Sequence, residues 1–318
     1  MKNLTKFGLI GAAGYIAPRH MKAIKETGGD LIAALDPFDS VGIIDSYFPN
    51  AAFFTEPERF DRHMDKLRRK GECPMDFVSI CSPNYLHDSH IRLSLRNQAN
   101  VICEKPLVLN PWNLDALAVI EKETGKKIFN ILQLRHHHAV VSLKEKAQNM
   151  PKDKVYDIDL TYITSRGAWY FYSWKGNHEK SGGISTNIGI HFFDMLTWIF
   201  GEVKQNKVHL SKDSKAAGFL ELERARVRWF LSVDKRDLPK AVSNKGQATY
   251  RSLTLDGEEF EFSGGFTDLH TYSYQNILDG KGFGLETVKP SISIAYDIRN
   301  STPGGLKGDY HPLAKSAV

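Results

Sequence analysis

Cysteine is scarce in this chain. Three of 318 residues, Cys73, Cys81 and Cys103, carry a thiol, an odd count with no CxxC pair and no Cys–His spacing suited to zinc. That excludes a disulfide framework and points to a reducing compartment. A chain this long buries a core without such staples. Long apolar runs are also missing. Gly182–Gly201 comes nearest, but it holds Asn187, His191 and Asp194, which are costly in lipid. Lys2 and Lys6 with apolar Phe7–Ala17 imitate an export signal, yet Gly11 and Gly14 stand at turn spacing and no small-residue cleavage site precedes a mature start. Both stretches read as soluble structure, which places the protein in the cytoplasm with no membrane partner. Charge of one sign is lacking too. The 42 Lys and Arg against 37 Asp and Glu leave a net charge of +5, spread along the chain. The densest basic run, Lys66 to Lys70, has no interleaved aromatics, so it reads as a solvated helix face and not a nucleic-acid patch. A mildly basic protein suits a polyanionic small substrate. With 42% hydrophobic and 25% charged residues, disorder, collagen-like repeats and coiled coil are excluded. The length fits about two domains of roughly 150 residues each.

The first half alternates short apolar runs with helical patterns. Lys6–Ile10, Leu31–Leu35, Phe77–Cys81, Asn100–Cys103 and Ile128–Leu132 read as strands. Helices are expected from Ile16 to Thr27 and over Arg59–Lys70, His87–Gln98 and Pro111–Thr124. That alternation signals a parallel sheet with crossover helices. Beyond about residue 150 the texture changes. Val155–Arg166, Val208–Leu210, Phe219–Leu222, Ala225–Val233 and Gln247–Leu255 are strand candidates, and Asp256-Gly257 is a hairpin turn before Glu258–Phe262. One helix, Gly183–Phe200, breaks this half and ends at Gly201, and Ser301–Val318 reads as an irregular tail. The fold class is α/β: a Rossmann domain over 1–134, then an α+β domain over 135–318 with a largely antiparallel sheet.

After the first strand comes Gly11-Ala12-Ala13-Gly14-Tyr15-Ile16-Ala17, a dinucleotide fingerprint with one extra residue in the turn. Gly11 permits a tight turn, Gly14 lets backbone N–H groups approach a pyrophosphate, and Ala17 is small enough for helix–strand contact. Gly11, Ala13, Gly14, Tyr15 and Ile16 are therefore candidate cofactor contacts. Asp36 ends the second strand. There a carboxylate accepts from ribose hydroxyls and repels a 2′-phosphate, and no Arg or Lys follows in Pro37–Ser40. This favours NAD over NADP. The plain alternative is a strand-end Asp that caps a turn.

Two further strand ends are chemically loaded: Ser82-Pro83-Asn84 with His87, and Glu104-Lys105-Pro106. In open parallel sheets ligands bind outside the carboxyl ends of the strands. Ser82, Pro83, Asn84, His87, Glu104 and Lys105 join the candidate cofactor contacts. Downstream, Asn187, His191 and Asp194 share one face of the expected helix through i,i+4 and i,i+3 spacing.

The G-x-x-G-x-x-A turn, the C-S-P-N-x-x-H strand end, E-K-P and G-G-x-x-x-N-x-G-x-H-x-x-D resemble the Gfo/Idh/MocA oxidoreductases, although most of those have Asp where this chain has Asn187. Within that family the strings Gly11–His20, Cys103–Asp115 and Thr161–Lys175 resemble the UDP-N-acetylglucosaminuronate 3-dehydrogenases. The resemblance implies an N-terminal Rossmann domain, and a C-terminal open-faced sheet that commonly packs against another subunit as a dimer or tetramer. It also implies oxidation of a sugar C3 hydroxyl with hydride passing to NAD, in assembly of diacetamido-uronic acid sugars for O-antigen or lipopolysaccharide. The partner is then a UDP-linked uronic acid sugar, with a 2-oxo acid as a route for NADH reoxidation. Lys105 and His191 are the catalytic candidates. His191, ordinarily near pKa 6.5, suits a base, and a protonated Lys105 suits an alkoxide stabiliser. Lys105, Arg166, Lys175, Asn187 and His191 are the substrate candidates, with Arg166 and Lys175 for the carboxylate and diphosphate. Two alternatives stand beside this reading: a family member acting on another sugar or polyol, and a non-catalytic dinucleotide-binding regulator, which Lys105 and His191 together disfavour.

Other residues read more plainly. His136, His137 and His138 are consecutive, and side chains about 100° apart on a helix do not chelate together, so no metal is expected. Cys81 and Cys103 read as buried structural thiols. Tyr15 suits cofactor contact, a neighbouring subunit or helix packing. Trp169, Tyr170 and Tyr172 suit either uracil stacking or packing.

Overall fold

Short apolar runs without alternation belong to strands buried on both faces, and the first half of the chain folds that way. β1 (Lys6–Ile10), β2 (Asp30–Leu35), β3 (Ala52–Phe54), β4 (Phe77–Ile80), β5 (Asn100–Cys103) and β6 (Ile128–Asn130) form a parallel sheet in the order β3-β2-β1-β4-β5-β6. The helices Ala17–Glu26, Pro57–Lys70, His87–Arg96 and Pro111–Thr124 alternate with these strands. Proline opens two of them, and left-handed Gly71 and Gly125 close the same two. The strand order reverses between β1 and β4, so the ligand position for such a sheet lies at the carboxyl ends of these strands.

The computed structural model describes residues 4–71, 74–262 and 264–317. Lys2, Cys73 and Val318 lie outside the described residues. The chain divides into two compact units, Met1–His136 with Thr267–Lys289, and His137–Phe266 with Pro290–Val318. The segment 267–289, read from sequence as part of the second domain, thus groups with the first unit. There Tyr274 and Ile277 join Phe7, Met21, Ile24 and Ile102 in one core.

Among the elements that were not expected are one strand and two longer helices. β3 is a half-buried edge strand of three residues, too short for a pattern. Helix Leu269–Leu278 follows Asp268, which has a φ of +62°, and its polar residues blur any stripe. Helix Leu285–Asn300 contains Pro290, which reads in sequence as a breaker. Among the described residues, no helix is long and apolar enough to cross a membrane. Lys66, Arg68, Arg69 and Lys70 are exposed on their helix.

In the second unit, β7 (Tyr156–Thr164), β8 (Val203–Lys212), β9 (Lys215–Leu222), β10 (Ala225–Ser232), β11 (Thr249–Leu255) and β12 (Glu258–Glu259) form a mixed sheet, β12-β11-β7-β10-β9-β8. Only β7–β10 is parallel among these pairs. Asp256 and Gly257, both at positive φ, make the expected hairpin between β11 and β12. Helix Ile190–Phe200 covers one face. Phe192 meets Tyr162, Phe193 meets Trp229 edge-on, and Phe200 meets Tyr156. The single helix expected over Gly183–Phe200 is broken instead. Gly182 and Gly183 both have positive φ, Ser185–Gly189 is a π-helical turn, and the α-helix begins only at Ile190.

The tail is irregular but not loose. Ala314 and Ala317 pack with Ile163, Leu210, Ala217 and Phe230 against the other face of the sheet. His311 fixes this docking. Its Nδ1 accepts from the Leu313 N–H at 3.2 Å, so Nε2 carries the proton and donates to Thr161 Oγ1 at 3.0 Å. Burial pushes the His311 pKa down to about 4, opposed by Asp159 and assisted by Arg228. The unfolded residue titrates near 6.5, so the unfolded chain binds more protons between these values, and stability falls as pH drops from about 6.5 to about 4. The loss attributable to His311 is on the order of 3 kcal/mol at 1.36 kcal/mol per pH unit. In urea unfolding, the stability advantage of the wild type over His311→Gln should therefore shrink across that window. A pH-independent difference between the two proteins contradicts this assignment.

Candidate active site

Three strand ends of the first unit build one constellation. The loop after β1 lies against the loop after β4, and Gly11 is the point of closest approach. Its φ is +92°, and a Cβ there would sit 2.6 Å from both the Cys81 carbonyl carbon and the Ser82 nitrogen. Conformation and space both demand glycine. Gly11 and Ala12 donate to the Leu35 carbonyl, and Gly14 donates back to Gly11. Asp36 closes the arrangement from β2. One carboxylate oxygen accepts from Ala13 N and the other from Phe38 N, each at 2.9 Å. The turn-capping and ribose-binding readings of Asp36 are therefore compatible, because each oxygen keeps a second acceptor site. Tyr15 and Phe38 stand exposed on these loops, at 86% and 71%.

The loops after β4 and β5 are tied together by His87. It is buried, with Nδ1 2.7 Å from the Pro106 carbonyl and Nε2 2.9 Å from the Ser82 carbonyl. Both contacts are hydrogen bonds only when the ring carries both protons, while burial pushes its pKa down. Ser82 Oγ meets His90 Nδ1 at 2.9 Å, and Asn84 is buried in the same turn. Burial pushes the Cys81 and Cys103 thiols well up, so both stay protonated at neutral pH.

Glu104 follows β5 directly, beside Lys105, which is half-buried. Its carboxylate turns to two histidines that sequence reasoning missed: His20 Nε2 lies 3.1 Å and His270 Nε2 2.8 Å from the same oxygen. Among the described residues this is the one group of three with metal-ligating geometry. His20 sits inside the Gly11–His20 string, which offered a signal. His270 lies on a helix that was not expected. The consecutive histidines do other work: His136 stacks near Phe283, and His137 Nε2 donates to Gly264 O.

The second unit gathers its own candidates. Tyr170 is buried, and its hydroxyl accepts from Asn187 Nδ2 at 2.9 Å. Lys175 lies 4.9 Å over the Trp174 ring. Burial and then the positive charge of Arg166 lower the Lys175 pKa, so the two cations feel each other. A cavity beside them is lined by Tyr170, Lys175, His178, Lys212, Asp213 and Arg299. Burial also lowers His178 and Arg299. Such a desolvated basic wall is suited to an anion. Trp169 and Tyr172 are exposed while Tyr170 is core. The helix expected to carry all three is of two kinds: Asn187 lies in the π-helical turn, whereas half-buried His191 and buried Asp194 lie on the α-helix. Lys105 belongs to the first unit, and Arg166, Lys175, Asn187 and His191 to the second.

Comparison with known proteins follows this geometry. Residues 5–132 match the oxidoreductase family with NAD-binding Rossmann fold, GFO_IDH_MocA, and residues 153–233 match that family's C-terminal alpha/beta domain. The WlbA (WbpB) dehydrogenase of Thermus thermophilus, solved with NAD and alpha-ketoglutarate, is 49% identical over 98% of this chain and 100% of its own, with a TM-score of 0.94. A second structure of that dehydrogenase, with NAD and UDP-GlcNAcA, is 48% identical over the same shares with the same score. Among curated relatives, the putative oxidoreductase YteT of Bacillus subtilis is 25% identical over 64% of this chain, which spans 47% of that protein. The chain thus spans about half the length, or less, of the curated relatives it first matches. Family matches in both halves, and near-half identity along almost the whole chain, make this protein a member of the Gfo/Idh/MocA oxidoreductase family.

Proposed function

We propose that this chain oxidises the C3 hydroxyl of UDP-N-acetyl-D-glucosaminuronate to the 3-keto sugar, with NAD as cofactor. The observation that carries this reading is the full-length similarity to dehydrogenases that hold NAD with UDP-GlcNAcA or alpha-ketoglutarate. The residues fit the cofactor. Gly11 lets the loops after β1 and β4 meet backbone to backbone at the switch point, and Asp36 is held with acceptor capacity left for a ribose. NAD, when bound, supplies the hydride acceptor. Gly14, Ala13, Tyr15 and Ile16 line its pyrophosphate turn, and Ser82, Pro83, Asn84, His87 and Glu104 shape the neighbouring loops.

In this reading His191 takes the hydroxyl proton and the Lys105 ammonium steadies the oxygen as its charge grows. Arg166 and Lys175 draw the carboxylate and diphosphate, which relieves the repulsion between the two cations. A 2-oxo acid is the proposed oxidant that regenerates NAD. The setting is a cytoplasmic homo-oligomer, joined through the C-terminal sheet, that serves assembly of diacetamido-uronic acid sugars for O-antigen or lipopolysaccharide.

Product analysis with NAD and UDP-N-acetylglucosaminuronate, run beside uncharged UDP-N-acetylglucosamine, tests the reading. The uronate should yield a 3-keto sugar. Lys105→Ala and His191→Ala should each lower kcat by about 10²–10⁴ with unchanged thermal unfolding, the usual worth of a positioned acid–base group. Near-wild-type turnover in either folded variant refutes the pair.

The cofactor preference is a separate prediction. A 2′-phosphate beside the Asp36 carboxylate is a like-charge juxtaposition, so calorimetry should find NAD bound more than about 100-fold tighter than NADP, roughly 2.7 kcal/mol. Equal affinities would remove Asp36 from the ribose site.

A further inference from the structure

Lys105 needs a fixed place, and the structure shows what fixes it. Its own backbone N–H donates to the second Glu104 oxygen at 3.2 Å. The Glu104 backbone is held as well: its N–H donates to Ile80 O, and Asn130 Nδ2 donates to its carbonyl. The first carboxylate oxygen accepts from His20 and from His270. His20 Nδ1 lies 2.7 Å from the Tyr274 hydroxyl, which lies 2.6 Å from Ser79 Oγ. All five residues are buried.

The proton positions follow from chemistry. An ionised carboxylate only accepts, so both Nε2 atoms donate to it. Burial pushes the His20 pKa down, so that ring is neutral and its Nδ1 is an acceptor. The Tyr274 hydroxyl then donates to Nδ1, and Ser79 donates to the tyrosine oxygen. Every donor in the chain points towards Glu104. Burial alone would raise the Glu104 pKa, yet the bonds from His20 and His270 hold it well below the usual carboxylate range. A buried anion persists only when satisfied in this manner.

The three participants come from separate pieces of chain. His20 sits on the helix that follows the glycine turn, Glu104 at the end of β5, and His270 on helix Leu269–Leu278. We propose that His20, Glu104 and His270 are positioning residues, a buried relay that locks the end of β5 so that Lys105 is presented at one place to the reacting oxygen. This rests on the dehydrogenase reading above for its kinetic consequence, but not for its structural one.

The test pairs kinetics with a readout that needs no turnover. His270→Phe keeps a ring but removes the donor, and should lower kcat at least about tenfold, since small misplacements are costly, while KM for NAD and sugar stays within about threefold. His270→Gln restores a donor and should recover most of kcat. Hydrogen exchange at the Lys105 amide should be slow in the wild type and His270→Gln, and fast in His270→Phe. If His270→Phe fails to fold, Tyr274→Phe removes the donor to His20 and should show the same split of kcat from KM at smaller amplitude. Unchanged kcat and unchanged Lys105 exchange in a folded donor-less variant would overturn the proposal, as would kcat that glutamine does not rescue. One tightly bound transition metal per chain, lost in His270→Phe, would also overturn it, because the same three atoms would then be ligands. A wild-type chain that leaves the uronate sugar unchanged sinks the substrate reading instead, and the exchange measurement still decides the relay.

Discussion

The close approach of two backbones, Gly11 against the Cys81–Ser82 peptide, is the constraint on which the cofactor end of the first unit depends. No side chain fits between them. That single absence lets the loops after β1 and β4 close together where the strand order reverses. Once they are close, the remaining polar groups are spoken for in sequence. Gly11 and Ala12 donate to Leu35, Ala13 donates to Asp36, and Cys81 donates its amide to Ile10. Such accounting is needed because buried backbone groups without partners are costly. The same accounting shapes the surface offered to a ligand, since it fixes which N–H groups point inward and leaves exposed Tyr15 and Phe38 at the rim.

The two units manage charge in opposite ways. In the first, Glu104 is a buried anion held by imidazole and amide donors, and its neighbours Cys81, Cys103 and Tyr274 are all kept protonated by burial with help from its charge. The result is stiff and self-contained. In the second, Lys175 feels a like charge from Arg166 and stands in a cavity wall with His178, Lys212 and Arg299. A carboxylate is present there in Asp213, yet burial still lowers the pKa of Lys175, His178 and Arg299. Stiffness suits a group that must meet a reacting atom, and a wall of crowded basic groups suits recognition of an anion.

Much of this was legible because it is local. The glycine turn, Asp36 at a strand end, Glu104-Lys105 and the Asp256-Gly257 hairpin are each defined within a few residues by backbone rules. What was not legible depends on distance or on irregular backbone. His270 is separated from Glu104 by 166 positions and from any motif by a helix that begins on a left-handed Asp268. Pro290 hid the next helix by resembling a stop. Asn187 was assigned to a continuous α-helix, and it lies instead in a π-helical turn that precedes that helix. In each case the local rule was sound and tertiary packing chose another solution.

The glutamate beside the lysine of the proposed reaction is engaged by the fold itself. Here both oxygens of Glu104 already accept bonds, one from two imidazoles and one from the Lys105 amide itself. The histidines thus do more than satisfy a buried charge: by holding one carboxylate oxygen they orient the other towards the Lys105 amide. The carboxylate thereby anchors the backbone from which the Lys105 side chain extends.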